Sequence, residues 1–263
     1  SEPEKPAKLG DRVNGKLEFR HLTFGYDPDQ PVLHDVSFQV APGEKLAVVG
    51  PTGSGKSTLI RLLGRFYDFD DGSVFLDDID LNQITSHEVR RRVGVVLQDF
   101  HIFSGSILDN ITLGDETVTR ERAIEAATLV NAHHFIEALP QQYDEPLVER
   151  GQNLSQGQRQ LLAFARVLAS DPEILVLDEA TASIDTETEQ LIQQALHQLM
   201  QDRTSILIAH RLQTIAEADR ILVLKHGAVK ELGSHEELME LRGVYYTLNQ
   251  LQFQDVTLKP DQD

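Results

Sequence analysis

Short apolar runs alternate with stretches of helical periodicity along this chain. Residues 45–49, 174–177 and 205–209 are apolar at nearly every position, a pattern typical of strands that are buried on both faces. Helical spacing follows the first of these runs at residues 56–66 and the second at residues 186–200. Because strands that alternate with helices indicate an α/β architecture, the pattern predicts a mostly parallel central sheet.

The remaining pattern divides the chain into three parts. Residues 1–15 read as a flexible linker, and residues 251–263, rich in Asp and Gln, read as a flexible tail. Residues 16–250 are expected to form one domain. Its opening stretch is β-rich and predicts an antiparallel β subdomain, while the helical block at about residues 99–170 predicts an α-helical subdomain.

Two helix starts carry capping-box patterns, in which a Ser or Thr is followed three residues later by a Glu. The pairs are Thr186 with Glu189, and Ser234 with Glu237. The first pair predicts the start of the helix at residues 186–200, and the second predicts the start of a final helix.

The charge balance restricts the classes of partner. The chain has 42 acidic and 24 basic residues, a formal net charge of −18 at pH 7. Such a surface repels nucleic-acid phosphates and anionic lipid, so no nucleic acid is expected as a partner. The lack of cysteine excludes disulfides and thiolate chemistry. No apolar run approaches the length of about 18 residues that is typical of a membrane span.

Residues 50–57 read G-P-T-G-S-G-K-S, a full match to the phosphate-loop pattern G-x-x-x-x-G-K-[ST]. In such a loop, backbone N–H groups surround phosphate oxygens, Lys56 supplies charge to the β and γ phosphates, and Ser57 offers a hydroxyl to Mg²⁺. A chance glycine turn is the alternative, and average composition gives such a match in roughly one chain in a hundred. The candidate nucleotide-binding residues here are Gly50, Pro51, Thr52, Gly53, Ser54, Gly55, Lys56, Ser57 and Thr58.

Three candidate site residues, Asp178, Glu179 and His210, follow the later apolar runs. Asp178 is the candidate Mg²⁺ ligand, as an acidic residue is in phosphate-loop enzymes generally. Glu179 lies on the other side of the pleat, where it can face an attacking water as general base. A solvated Asp-Glu turn is the usual case for such a pair alone, but the phosphate loop favours catalysis. His210 could orient the water, although a lone histidine is more often structural. The candidate catalytic residues are Glu179 and His210, together with Lys56 of the phosphate loop.

Residues 154–158 read L-S-Q-G-Q. Ser155 with Gln158 forms a capping pattern that opens a helix, and an ordinary helix cap is the better interpretation of this segment in isolation. The segment resembles L-S-G-G-Q, the signature of the ATP-binding cassette family, and like that signature it lies shortly before an acidic strand. Gln156 stands where the signature has its first glycine. The resemblance to this family covers roughly residues 16–250.

Other segments resemble the same family in order and spacing. F-G-Y at residues 24–26 is similar to the aromatic loop, which implies that Tyr26 stacks on adenine. Gln98, at the end of a predicted strand, is similar to the glutamine that touches Mg²⁺ and senses the γ-phosphate. Residues 183–185 match the loop that contacts the second cassette, and residues 209–211 match the histidine switch.

Two segments are similar to the exporter branch of the family. Residues 99–111 resemble the exporter segment that follows the glutamine, and residues 149–151 resemble the motif that faces the coupling helices of the membrane domain. The ATPase subunit of an importer is the main alternative. A non-transport cassette protein would need a coiled-coil insertion, tandem cassettes or basic surfaces, and a small-molecule kinase would leave L-S-Q-G-Q unexplained.

The resemblance implies a function, ligands and partners. Two cassettes, identical or homologous, would stack head to tail around two ATP molecules, each site taking Ser155, Gly157 and Gln158 from the opposite chain. ATP and Mg²⁺ are the implied ligands. Hydrolysis would drive transport through a transmembrane domain fused upstream, at the cytoplasmic face of a bacterial plasma membrane. The implied Mg²⁺ ligands are Ser57, Gln98 and Asp178.

Overall fold

The computed structural model describes residues 2–98, 100–148, 151–179 and 184–257, with residues 252–257 described by their main chain alone. The strands within these ranges are β1 (Leu17–Phe24), β2 (Leu33–Val40), β3 (Lys45–Val49), β4 (Val74–Leu76), β5 (Ile79–Asp80), β6 (Val93–Val96), β7 (Gly105–Ser106), β8 (Pro146–Leu147), β9 (Ile174–Asp178), β10 (Thr204–Ile208), β11 (Arg220–Lys225) and β12 (Ala228–Gly233). The α-helices are α1 (Lys56–Leu63), α2 (Ser86–Arg92), α3 (Ile107–Thr112), α4 (Arg120–Leu129), α5 (His133–Glu137), α6 (Gln156–Ser170), α7 (Thr186–Met200), α8 (Leu212–Ala216), α9 (His235–Leu241) and α10 (Val244–Thr257).

The central sheet has the strand order β12-β11-β3-β10-β9-β6, and its neighbours are parallel except for β11 with β12. Along β9, Ile174 and Val176 pack into the core shared with the antiparallel sheet, whereas Leu175 and Leu177 pack into the core shared with the helical block. Burial on both faces explains why these strands are apolar at nearly every position. The predicted α/β core is confirmed.

Strand pairing aligns the ends of the central strands. Val48 of β3 pairs with Ile208 of β10, and Ile208 pairs with Asp178 of β9. Val96 of β6 pairs with Leu177. Because paired residues of parallel strands lie at one level, the segments that follow all begin at the same edge of the sheet. Those segments carry Gly50, Gln98, Glu179 and His210.

The predicted antiparallel β subdomain is a four-stranded sheet with the order β2-β1-β4-β5. Leu17 of β1 pairs with Val40 of β2 at one end of the sheet. The rings of Phe19 and Phe38 stack with their centroids 4.4 Å apart, which fixes the pairing of these two strands through aromatic contact.

The predicted helical subdomain contains α3, α4, α5 and α6, together with the short β7–β8 pair. Its helical pattern is interrupted between α4 and α5, where Asn131 has a φ of 62°. Asn adopts this left-handed conformation more readily than most residues, so it ends a helix well. The buried residues Ala126, Leu161 and Leu162 belong to the core that α4 and α6 share.

The predicted capping box of α7 is wrong. Asp185, not Thr186, is the cap, since its side chain accepts a hydrogen bond from the Thr188 N–H at 2.9 Å. Asp is as good a cap as Ser or Thr, and it stands one residue earlier. The capping box of Ser234 and Glu237 is present at the start of α9, but α9 is not the final helix because α10 follows.

The C-terminal helix α10 continues through Thr257, past residue 250 where the domain was predicted to end. Residues 258–263 of the predicted tail lie outside the described residues. Within the part of the chain that the structure describes, no helix is both long and apolar enough to cross a bilayer.

The N-terminal segment, predicted to be a linker, lies against the domain. The Ala7 N–H donates to the Gln83 carbonyl oxygen at 2.7 Å. The guanidinium of Arg92 donates to the carbonyl oxygens of Gly10 and Asp11, each at 2.7 Å. These contacts fasten the segment where it approaches the sheet.

Arg92 also joins the starts of two strands. It immediately precedes β6, and its Nη1 lies 2.9 Å from Oε1 of Glu173, which immediately precedes β9. Its side chain is 6% exposed, and a second carboxylate, Glu88, lies 2.8 Å from Nη2. One buried cation therefore holds together α2, two strands and the N-terminal segment.

We predict that Arg92→Met lowers the free energy of unfolding by about 3–5 kcal/mol, the usual effect of breaking a buried ion pair. The variant leaves Glu173, whose side chain is 11% exposed, without its closest cation. Arg91→Met is the matched control, because that side chain is 66% exposed and should change stability by no more than about 0.5 kcal/mol. Urea denaturation measures both, and similar values for the two variants would contradict the role given to Arg92.

Candidate active site

The phosphate loop connects the end of β3 to the first turn of α1. Gly50 passes so close to β11 that a Cβ on it would lie 2.0 Å from the carbonyl oxygen of Leu224, so a side chain cannot be placed there. Gly55, the N-cap of α1, has a φ of 98°, which favours glycine. The N–H groups that open α1 therefore lie at the loop, as in other phosphate-binding sites.

The ammonium of Lys56 is turned onto the loop itself. Its Nζ donates to the carbonyl oxygens of Gly50 at 2.7 Å and Pro51 at 3.0 Å, and to Oγ of Ser54 at 3.4 Å. These contacts use all three N–H donors of the ammonium. Burial lowers the pKa of Lys56, and the charge of Asp178 partly offsets this effect.

Ser57, Asp178 and His210 meet at the carboxyl edge of the sheet. Oγ of Ser57 donates to Oδ2 of Asp178 at 3.4 Å, and Nε2 of His210 lies 3.8 Å from Oδ1 of the same carboxylate. Hydroxyl and carboxylate oxygens are the donors that Mg²⁺ prefers, usually together with substrate phosphates. Ser57 and Asp178 therefore fit a Mg²⁺ site by their chemistry and position.

Glu179 is turned toward the segment that follows β10. Its Oε2 accepts the main-chain N–H groups of His210 at 2.7 Å and Arg211 at 3.0 Å. Its Oε1 accepts the hydroxyl of Thr214 at 2.5 Å and the side-chain amide of Gln193 at 3.5 Å. The side chain is buried, so in this orientation it is held by the protein rather than presented to a water.

Tyr26 lies beside the start of α1, as its predicted role at the nucleotide requires. Its hydroxyl lies 3.0 Å from Oγ1 of Thr58 and accepts from Nη1 of Arg61 at 3.4 Å. The ring meets Phe24 and Tyr67 edge-on and remains about half exposed. An exposed aromatic face is therefore fixed next to the phosphate loop, where a base can stack on it.

Gln98 and the L-S-Q-G-Q segment lie in different parts of the domain. Gln98 is exposed just after β6, at the same edge of the sheet as Asp178. Ser155 and Gln158 form a capping box at the start of α6, with reciprocal bonds of 3.1 and 3.0 Å. Within the described residues, the side-chain hydrogen bonds of these two stay in that turn, and none joins them to the phosphate loop of their own chain.

Gly157 lies where α6 meets the start of α7. A Cβ on it would lie 2.2 Å from Cγ2 of Thr188. The absence of a side chain at this position is therefore required by helix packing, in addition to the role at an anion that the sequence predicts.

Three segments that resemble the family extend beyond the described residues. The residues concerned are Asp99, Glu149, Arg150 and Ser183. The contacts predicted for them lie outside what the structure describes.

Sequence reasoning missed the residues that hold Glu179. Gln193 and Thr214 lie 14 and 35 positions away from it in the chain. Neither belongs to a recognisable motif, and each is brought to the carboxylate by the packing of its helix. Arg61, which touches Tyr26, was missed for the same reason.

Comparison with known proteins gives one family. A sequence profile of the ABC transporter family matches residues 33–182. A Streptococcus pneumoniae protein, exp8, which is named as an ABC transporter ATP-binding protein, is 50% identical over 238 residues, covering 90% of this chain and 41% of that protein. The fatty acid ABC transporter ATP-binding/permease protein of Mycobacterium tuberculosis is 43% identical over 247 residues, covering 94% of this chain and 38% of that protein.

A solved structure of a bacterial Atm1-family ABC exporter with ATP bound superposes with a TM-score of 0.86 at 42% identity, covering 95% of this chain and 43% of that chain. The chain thus spans about two fifths of the length of these relatives.

We predict that Gly157→Ala destabilises the domain by about 1–3 kcal/mol, the usual range for overpacking. The direction of the change in stability is informative, because Gly→Ala at a helix position with free space around it stabilises the fold by about 0.5–1 kcal/mol. Thr188→Ser removes the Cγ2 methyl group that the new Cβ would meet, so the double variant should recover most of the lost stability. Chemical denaturation of the four proteins in this cycle measures the coupling, and an alanine variant more stable than the parent chain would contradict the packing.

Proposed function

This chain belongs to the ABC transporter family, and we propose that it is the part of an exporter that binds and hydrolyses ATP to power transport. The observation that carries the proposal is the grouping of the phosphate loop, Asp178, Glu179 and His210 at one edge of the sheet. A binding module without hydrolysis would need only the phosphate loop. The carboxylates and the histidine are the groups that water activation requires.

Lys56 is the main contact to the phosphates. When ATP enters the loop, its phosphate oxygens would replace the carbonyl oxygens of Gly50 and Pro51 as acceptors for the ammonium. The N–H groups at the start of α1 add their partial positive charge to the same anion. The base would stack on Tyr26, which contacts Thr58 on this helix.

The Mg²⁺ site would be formed by Ser57, Asp178 and Gln98. The ion would supply charge neutralisation at the β and γ phosphates when bound. Oγ of Ser57 and Oδ2 of Asp178 are already 3.4 Å apart, so these two side chains would need little rearrangement to bind one ion.

Glu179 acts as the general base, and His210 orients the attacking water and the γ-phosphate. For this, the carboxylate must leave the main-chain and side-chain donors that hold it in this structure. The imidazole is already at the carboxyl edge, 3.8 Å from Asp178. Electrostatic positioning around the transferred phosphoryl group does most of the catalysis.

A second cassette completes each site through the start of α6. Ser155, Gly157 and Gln158 would face the γ-phosphate of the opposite chain. The first turn of a helix leaves N–H groups without partners inside the helix, and its dipole is positive there. The partner is either an identical or a homologous cassette.

An exporter is favoured over an importer subunit by the relatives. Of those compared, one is named as an ATP-binding/permease protein, and another is an exporter. We infer that a transmembrane domain is fused upstream of this domain in the complete protein. The domain would then lie at the cytoplasmic face of a bacterial plasma membrane.

We predict that Glu179→Gln binds ATP with Mg²⁺ but hydrolyses it about 10²-fold more slowly or worse, the usual effect of losing a general base. Glu121→Gln is the matched control, because it removes the same charge from an exposed position on α4. Phosphate release and equilibrium nucleotide binding are measured on both. Near-normal turnover by Glu179→Gln would remove Glu179 from the role of base.

The composite site can be tested through the dependence of ATPase activity on protein concentration. If two chains build each site, specific ATPase activity rises with protein concentration, and Glu179→Gln with ATP runs as a dimer in light scattering. Ser155→Arg should abolish activity, while Ser234→Arg, the same kind of cap at α9, should not. Mixing Ser155→Arg with Glu179→Gln should restore some activity, because one of the two sites then has an intact base and an intact opposite Ser155.

Turnover by a strict monomer, independent of concentration, would disprove the composite site. Very low activity of the unmodified chain at every concentration would instead indicate a partner cassette of different sequence.

A further inference from the structure

The carboxylate of Glu179 accepts a hydrogen bond at every site it has. An ionised carboxylate offers about four lone-pair sites on its two oxygens. Here Oε2 accepts two main-chain N–H groups, at 2.7 and 3.0 Å, and Oε1 accepts two side-chain donors, at 2.5 and 3.5 Å. In this orientation each lone pair faces a donor, three of them within 3.0 Å, and Nε of Arg211 lies 3.9 Å from Oε1 as well.

The orientation has a structural cause at the start of α8. The N-cap residue of this helix, Arg211, makes no side-chain cap hydrogen bond. The carboxylate of Glu179 lies in front of this helix, where Oε2 accepts the N–H groups of His210 and of the N-cap residue Arg211 at the positive end of the helix. While Oε2 accepts both main-chain N–H groups, the carboxylate stays at the start of α8 and is not free to deprotonate a water.

Among the four donors, Thr214 is the one whose side chain matters most. Its hydroxyl makes the shortest of the four contacts, 2.5 Å to Oε1, and the residue is 1% exposed. The main-chain donors are present whatever the side chain, and the contact from Gln193 at 3.5 Å lies at the outer limit of hydrogen bonding. Thr214 and Gln193 also line one small cavity together with Glu179 and Gln160.

We propose that Thr214 is a positioning residue that holds the general base of this ATPase idle. The inference rests on the proposed role of Glu179. Once the carboxylate has left the Thr214 hydroxyl and its other donors, it accepts a proton from the attacking water. The water oxygen then forms a bond to the γ-phosphorus, and the bond between that phosphorus and the bridging oxygen breaks, so that ADP leaves. Thr214 acts on this step through Glu179 and does not contact ATP.

The test uses Thr214→Val, which preserves the shape of the side chain and removes the donor. We expect kcat to rise at least about threefold. Losing a hydrogen bond to a charged group shifts the equilibrium between the held and the released carboxylate by about tenfold or more, and other steps of the reaction limit the gain in kcat. KM for ATP should stay within about twofold, because nucleotide contacts are unchanged. Thr214→Ser retains the hydroxyl and is the matched control, with kcat near that of the parent chain.

Two further variants show whether the effect passes through Glu179. Gln193→Leu removes the weaker donor to the same oxygen and should give a smaller rise in kcat. Combining Thr214→Val with Glu179→Gln should give no rise above Glu179→Gln alone. All variants are assayed in the 263-residue chain at one high protein concentration, so that pairing of chains does not vary between them.

Three results would overturn the inference. These are a kcat for Thr214→Val equal to or below that of the parent chain, equal changes in Thr214→Val and Thr214→Ser, or a rise that persists without the Glu179 carboxylate. If Thr214→Val does not fold, Gln193→Leu is the deciding variant: a rise in its kcat supports the inference, and no change or a fall contradicts it. An unmodified chain that hydrolyses ATP neither alone nor together with a homologous partner cassette would disprove the proposed function, whereas an active chain that Thr214→Val fails to accelerate disproves only the role of Thr214.

Discussion

The parallel pairing of β3, β10 and β9 determines where the chemistry lies. Val48, Ile208 and Asp178 share one level of the sheet, so three segments far apart in the chain leave the sheet at one edge. A slip of one residue along β9 would reverse its alternation and send Asp178 to the other face. The apolar cores on both sides prevent such a slip, because it would also exchange Val176 and Leu177 between them.

Several polar groups of the site at that edge already have hydrogen-bond partners inside the domain. Lys56 donates to its own loop, Glu179 accepts the main-chain N–H groups that precede α8, and the hydroxyl of Tyr26 is shared with Thr58 and Arg61. Binding of a nucleotide would therefore exchange the carbonyl acceptors of Lys56 for phosphate oxygens, and the gain in free energy is the difference between a neutral and a charged acceptor. The N–H groups opening α1 and the stacking face of Tyr26 would add to this affinity without replacing a contact inside the domain.

Several parts of this arrangement could be predicted from sequence because local chemistry demands them. The run at residues 45–49 coincides with β3, since a continuous apolar run is stable only when buried on both faces. The phosphate loop followed from its glycines and lysine. Prediction from local sequence failed where two neighbouring residues were equally suitable as a helix cap, or where hydrogen-bond partners lie far apart in the chain. Asp185 and Thr186 are both suitable caps, and the orientation of Glu179 depends on Thr214, 35 residues away.

The attachment of the N-terminal segment has a mechanical consequence. Arg92 and Glu173 bind this segment just before β6 and β9 begin, at the edge of the sheet opposite the phosphate loop. A pull on the chain ahead of Ala7 would therefore load the two strands at their amino ends. Each strand would carry that tension along its stiff axis, over about 13–16 Å at 3.3 Å per residue, to Gln98 and Asp178. A pulling force would then act on the amino ends of β6 and β9, and a bound nucleotide on their carboxyl ends.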